Sequence, residues 1–233
     1  MTPTEVVYLV DDDFRVRESM TDFFAIHALR TKSFDSARAY LAHHDDAATS
    51  CLILDLELAE VDGLELQRRL RGFEAAPPII FVSGGQDIAT TVRAMKAGAV
   101  DFLTKPVDTC LLLSAVQSAL EKDGRQRKRQ RELAALRARF ASLTPREREV
   151  LPLIVGGLLN KQSAGVLEIA QVTMQVHRGQ VMRKMKAESL PDLVRMAVRL
   201  GIRPYMTESA ATETRCAGTP AFARLSVAAS TRS

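Results

Sequence analysis

"CLILDLE", residues 51–57, runs four apolar residues into an aspartate and places a glutamate two positions later. A short continuous apolar run of this kind reads as a strand covered on both faces, the pattern of a parallel sheet. Asp55 then stands where the strand leaves the sheet. Working outward, "VVYLV" (6–10), "IIFVS" (79–83) and "AVDFL" (99–103) repeat the pattern, with a weaker instance in "TKSF" (31–34). Helical stretches fall between and after them, over 14–29, 36–44, 63–71, 87–97 and 108–121. Strands alternating with helices predict a five-stranded, doubly wound parallel α/β domain over residues 1–121.

Beyond it the composition changes sign. Residues 1–123 hold 12 Lys and Arg against 20 Asp and Glu, a net of −8, whereas residues 124–206 hold 17 against 6, a net of +11. An acidic module joined to a basic one is the pattern of a sensor or catalytic domain carrying a nucleic-acid binder. The whole chain, 233 residues with 46% hydrophobic content, suits one large or two ordinary domains. With no long apolar run and no signal-peptide pattern at its start, it is expected to be cytoplasmic, with no membrane partner. Cys51, Cys110 and Cys216 lack metal-type spacing, so neither a disulfide framework nor a zinc site is expected, and two of the three are expected to fill cores.

The connector "EKDGRQRKRQRELAALRARF" (121–140) is expected to be helical from Gln126, giving a linker over 122–140. Four short helices follow in an all-α domain over 141–206. "TPRE" (144–147) is a capping box with Pro145 in the first turn and Pro152 further in, Asn160 is the expected cap of a helix over 161–167, another helix runs over 171–185, and "SLPD" (189–192) opens the last. Residues 207–233 lack periodicity and are expected to be disordered.

In an open parallel sheet, ligands bind beyond the carboxyl ends of the strands. The first strand delivers Asp11, Asp12 and Asp13 there, the third Asp55, the fourth Ser83, and the fifth leads to Lys105. Singly these have ordinary roles: Asp13 is the expected cap of the helix from Phe14, a serine after a strand is usually a turn residue, and a lysine before proline is usually just exposed. Together they set carboxylates, a hydroxyl and an ammonium on one rim, a set suited to Mg²⁺ and to a phosphoryl group.

"LVDDD", "LILDLELAEVDG", "FVSGG" and "KAGAVDFLTKP", in this order across residues 5–121, resemble the receiver domain of two-component response regulators. The resemblance implies a flavodoxin-like fold in which Asp55 accepts a phosphoryl group from a sensor histidine kinase. It implies that Asp11, Asp12, Asp55 and the Glu57 backbone carbonyl hold Mg²⁺, and that Ser83 and Lys105 bind the phosphoryl oxygens. Ser83 and Phe102 would form the switch that relays the signal to the face of the fourth helix, fifth strand and fifth helix. Two departures stand out: Leu58-Ala59 replaces the usual Met-Pro, and Gly84-Gly85 follows Ser83 where one small residue and then a bulkier one is usual.

In the basic half, helices over 161–167 and 171–185 joined by "LEIA" have helix-turn-helix spacing. Met174, Val181 and Met185 mark the buried stripe of the second helix; Val172, Val176, Gly179 and Arg183 lie opposite, flanked by Gln175 and Gln180. That face can read base edges while Arg178, Arg183, Lys184 and Lys186 meet phosphates, the alternative being an ordinary solvated helix surface. "LTPREREVLPLIVGGLLNKQSAGVLEIAQVTMQVHRGQVMRKMKAESLPDLVRMAVRLGI" (143–202) resembles the LuxR-type DNA-binding domain, and the whole chain the NarL/FixJ regulators, nearest the FixJ branch. By that resemblance Lys161 and Thr173 touch the DNA backbone while Gln175 and Val176 enter the groove; Gln175 stands where relatives often carry lysine, and Ala170 where they often carry a capping serine or threonine.

The expected function is a phosphorylation-activated transcriptional regulator that is not an enzyme. Its partners would be a histidine kinase, promoter DNA, a second copy of itself after phosphorylation, and RNA polymerase as a further candidate. Two alternatives use the same residues. A haloacid-dehalogenase-like phosphatase also uses a strand-end Asp nucleophile with an acid two places on, a Ser or Thr and a Lys around Mg²⁺, and a regulator could bind DNA without phosphorylation.

Overall fold

The computed structural model describes residues 5–43, 48–59, 61–73, 75–85 and 87–206. The chain divides into two units, Met1–Arg131 and Glu132–Ser233. The expectations for residues 207–233 and for Cys216 lie outside the described residues.

The first unit is built on β1 (Glu5–Val10), β2 (Arg30–Phe34), β3 (Thr49–Asp55), β4 (Ile79–Ser83) and β5 (Asp101–Thr104). All pair in parallel, in the order β2-β1-β3-β4-β5. Its helices are α1 (Phe14–Ile26), α2 (Ala37–Ala42), α3 (Gly63–Leu70), α4 (Ile88–Lys96) and the start of α5 (Thr109–Ala141). β3 is buried along its whole length, as the apolar run predicts. Alternate strand residues face two cores. Tyr8, Leu52, Leu54 and Phe81 pack with Leu66, Leu70 and Ala94 of α3 and α4, and Leu9, Ile53, Ile80 and Val82 pack with Phe24 of α1 and Leu112–Leu120 of α5. The strand order reverses between β1 and β3, so the carboxyl ends of those two strands open a crevice.

Gly63 fixes how α3 meets that crevice. A Cβ there would lie 2.7 Å from the Asp55 carbonyl oxygen and 3.1 Å from Leu56 Cα, so only glycine lets the helix start this close to the end of β3.

The second unit contains α6 (Pro145–Val155), α7 (Asn160–Val166), α8 (Gln171–Met185) and α9 (Leu190–Leu200). Its core gathers Leu136 and Phe140 from the end of α5, Val150, Leu151 and Ile154 from α6, Met174, Val181 and Met185 from α8, and Leu193 from α9. The expected stripe of α8 is therefore its buried face.

Two expectations change, and the cysteines and Lys184 gain detail. The helix over 108–121 and the connector are one α5, unbroken at Gly124. The buried pair Asp123–Arg127, at i and i+4, brackets the glycine, and Asp123 Oδ2 also takes the Ser50 amide at 2.8 Å, so docking on the sheet carries the helix across its weakest residue. The cap of α7 is Leu159, whose amide donates to Gln162 Oε1, and Asn160 is already helical with its Oδ1 taken by Arg178 at 3.4 Å. Cys51 fills a core, and its burial, with Asp123 and Glu5 nearby, pushes the thiol far above its usual range; Cys110 is exposed on α5. Lys184, expected to meet phosphate, is held by Glu147 at 2.7 Å. Among the described residues, no helix is long and apolar enough to cross a membrane.

Candidate functional site

Each rim residue is placed by a strand end. Asp11 follows β1, Asp55 and Ser83 close β3 and β4, and Lys105 follows β5, before a cis Lys105–Pro106 peptide. Lys105 reaches across the crevice, its Nζ 2.9 Å from Asp11 Oδ2 and 2.9 Å from Asp55 Oδ2. Asp11, Asp55 and Ser83 are buried, while Asp12 is exposed. Asp13 caps α1 by accepting the Arg15 amide at 2.8 Å, as expected.

The remaining oxygens of the two buried acids are oriented by backbone. Asp11 Oδ1 accepts the Asp13 amide at 2.9 Å, and Asp55 Oδ1 accepts the Glu57 amide at 3.2 Å. Arg17 Nη1 donates to the Asp11 carbonyl at 2.7 Å, a support from α1 that the sequence reading missed. Burial raises the Asp11 carboxyl above the usual aspartate range, and the Lys105 bond pulls it only part of the way back. For Lys105 burial works against the charge, but the bonds to Asp55 and Asp11 outweigh it and the ammonium is held above its ordinary value.

Asp11, Asp12 and Asp55 each offer a carboxylate oxygen within 4.8 Å of the others. Two buried acids with one lysine leave negative charge on the rim, and an all-oxygen donor set with an open, exposed member fits a divalent cation that keeps its waters. Beside them the Ser83 hydroxyl is folded into its own turn, donating to the Gly85 carbonyl at 3.3 Å and accepting the Gly85 amide at 3.0 Å. Phe102 is half-buried, its ring 6.2 Å from that of Phe81, so it has room toward solvent that a core phenylalanine lacks.

On α8, Val172, Thr173, Gln175, Val176, Gly179 and Arg183 are exposed, as is Lys161 on α7. Val172 is 73% and Val176 56% exposed, a large apolar exposure for a helix whose other face is wholly buried. Arg183 is held against Gln180 Oε1 at 2.5 and 3.2 Å, and Arg178 is half-buried beside Asn160. Ala170 has the extended backbone of a cap with no side-chain bond to the first turn. Glu147 is the residue the sequence reading assigned only to a cap. It closes the box with Thr144 and also holds Lys184, tying the start of α6 to the end of α8. Burial works to raise its carboxyl, but Lys184 and the Thr144 amide prevail and it lies below the usual glutamate range.

Two family profiles match: the response regulator receiver domain over residues 7–117 and the bacterial regulatory proteins of the luxR family over 141–197. Among curated proteins, nodulation protein W of Bradyrhizobium diazoefficiens is 45% identical over 203 residues, 87% of this chain and 89% of that protein. Transcriptional regulatory protein FixJ of Rhizobium meliloti is 39% identical, over 85% of this chain and 97% of that one. Among solved structures, the response regulator StyR aligns with a TM-score of 0.78 at 38% identity, covering 84% of this chain and 99% of StyR. Full-length FixJ from B. japonicum aligns at 0.51 and 36% identity, covering 86% and 99%.

Proposed function

The chain belongs to the NarL/FixJ response regulators, phosphorylation-dependent transcriptional regulators with a receiver and a LuxR-type DNA-binding domain, and from that premise we propose that Asp55 is the phosphoacceptor. The observation that carries this is the bridge from Lys105 to both Asp11 and Asp55 at 2.9 Å, on a rim where a fourth polar group, Ser83, is buried alongside. In this reading the receiver spans 1–121, a helical linker 122–140 and the DNA-binding domain 141–206.

The donor is the phosphorylated imidazole of a histidine kinase. An Asp55 carboxylate oxygen attacks the phosphorus, the P–N bond breaks as the P–O bond forms, and the imidazole leaves with the electron pair and takes up a proton. Lys105, bonded to Asp55 at 2.9 Å, sets its ammonium beside the attacking carboxylate and then follows the charge onto a phosphoryl oxygen. Magnesium, held by Asp11, Asp12, Asp55 and the Glu57 carbonyl, would supply neutralising charge for the transferring group. The new group adds about 1.5 to 2 negative charges and three acceptor oxygens. Ser83 exchanges its Gly85 bonds for one of those oxygens, and Phe102 turns inward into the space the hydroxyl leaves.

At the other site, Gln175 and Val176, with Gly179 as a gap between them and Arg183, enter the major groove, where an amide at 175 favours adenine. Lys161, Thr173, Arg178 and Lys186 meet the backbone, and Lys184, with two donors beyond its bond to Glu147, joins them. Paired receivers bring two such helices onto half-sites about one DNA turn apart, with RNA polymerase as a downstream partner. The test is intact-mass analysis and footprinting of the full chain with Mg²⁺ and acetyl phosphate. One phosphoryl mass on Asp55, together with stronger, two-fold protection of promoter DNA, is expected. Steady turnover of a phosphate ester would instead make the chain a phosphatase.

A further inference from the structure

"GRQRKRQR", residues 124–131, carries five cations and no acid, and neither the rim nor the recognition helix uses it. In the structure it is the middle of α5. Its rotation is set by the buried pair: Asp123 Oδ2 takes the Ser50 amide at 2.8 Å and Arg127 Nε at 2.5 Å, and Arg127 reaches the Ala75 carbonyl at 3.4 Å. With Asp123 at zero and 3.6 residues per turn, Arg127 lies at about 40°, so the docked side is centred near ~20°. Lys128, Arg125 and Arg129 then fall at about 140°, 200° and 240°, on the opposite side of the helix. All three are exposed.

An ordinary solvated helix mixes both signs. Here like charges sit at i and i+4 (Arg125, Arg129) and at i and i+3 (Arg125, Lys128), spacings that weaken a helix unless an anion lies over them. The acids at the edges do little to offset them. Glu121 is 3.7 Å from Arg125 in a largely exposed pair of the kind that contributes almost nothing, and Glu132 is taken by Arg199 at 3.1 Å.

We propose that Arg125, Lys128 and Arg129 form a second DNA-binding face, which grips the phosphate backbone of duplex flanking the sequence read by α8. DNA is the polyanion this chain already meets, a premise taken from the DNA-binding reading above. The tract is also covalently joined to the DNA-binding unit, since α5 runs on to Ala141. The face reads no bases, so it adds affinity and salt dependence without sequence preference.

The test compares the full chain with R125Q/K128Q/R129Q on random-sequence duplexes of about 12 base pairs, one half-site turn, and about 30 base pairs. Affinity is measured across a salt series, with helix content and phosphoryl mass gain on Asp55 expected to match wild type. Each lost phosphate contact lowers the slope of log affinity against log salt by about 0.9, so the long duplex should show a slope shallower by about 2 to 3 and the short one no change. Equal slopes for variant and wild type on the long duplex overturn the proposal, and so does an equal loss on both lengths, which marks diffuse charge rather than a flanking grip. Failure of the wild-type chain to bind either duplex overturns the DNA-binding reading along with it.

Discussion

At the rim, Asp11, Asp55 and Ser83 are buried and held by neighbours before any phosphoryl group arrives; on α8, Val172, Thr173, Gln175 and Val176 stand in solvent. The first site stores its chemistry as strain between charges, with burial opposing the ionised Asp11 and one lysine shared by two acids. The second stores nothing and gains its contacts only from a partner. A substitution at the rim should therefore change the free protein, whereas one on the exposed face of α8 should change only the complex.

Lys105→Met is the hardest test of that contrast. It removes the ammonium that bridges Asp11 and Asp55 and leaves two buried carboxylates unneutralised, a loss of about 3–5 kcal/mol in the receiver. Thermal melts should show the loss, and Mg²⁺ should restore more stability to the variant than it adds to wild type. Phosphoryl transfer should fall by about 10² to 10³-fold, as for other preorganised charge donors. Gln175→Ala, by contrast, should leave the melting temperature unchanged and lower operator affinity by about 1–3 kcal/mol. A rim variant that melts like wild type would break the comparison.

Gly63→Ala probes the backbone under the rim. With the new Cβ 2.7 Å from the Asp55 carbonyl, α3 or the end of β3 must move, at a cost of about 1–3 kcal/mol. Because that carbonyl belongs to Asp55, the proposed phosphoacceptor, the rate of phosphoryl mass gain should fall together with the stability.

How far the rim could be read from sequence follows from the same contrast. Strand ends are legible because β-branched runs announce them, and the sheet's geometry then brings Asp11, Asp55, Ser83 and Lys105 together whatever lies between. Asp123 and Arg127 were not legible: in sequence they belong to a solvated charge run, and contacts far off in sequence, to the Ser50 amide and the Ala75 carbonyl, make them buried. Glu147 was half legible, since "TPRE" announces a cap, but Lys184 lies 37 residues on and on another helix. The apolar stripe of α8 was plain from its period, whereas the capping of α7 by Leu159 depends on backbone geometry that a polar Asn160 obscures.

The Glu147–Lys184 pair is the exception on α8, a rim-like contact in the DNA-binding unit, and it sharpens the contrast. Its glutamate is held below the unfolded value of 4.5, so its contribution is fully present above that pH and is lost as pH falls through the lower folded value. Amide exchange in α6 and α8 should lose protection over that acid window, and Glu147→Gln should flatten the dependence. Lys184→Met should cost about 1.5–3 kcal/mol of protection in the same helices at neutral pH.

The smallest effect expected is also the most specific to the partner-dependent site. Ala170 already has the extended backbone of a cap, φ −66° and ψ 145°, so serine fits without rearrangement and supplies the missing acceptor for the first turn of α8. Ala170→Ser should add about 1 kcal/mol to the protection of that turn in the free chain. If α8 is only partly ordered before it meets DNA, some of that gain is ordering that the complex no longer has to supply, and affinity rises by up to about fivefold with the salt slope unchanged. If α8 is as firm in the free chain as at the rim, protection rises and affinity does not. Measuring both on one variant therefore decides whether the recognition helix is built by the fold or finished by DNA.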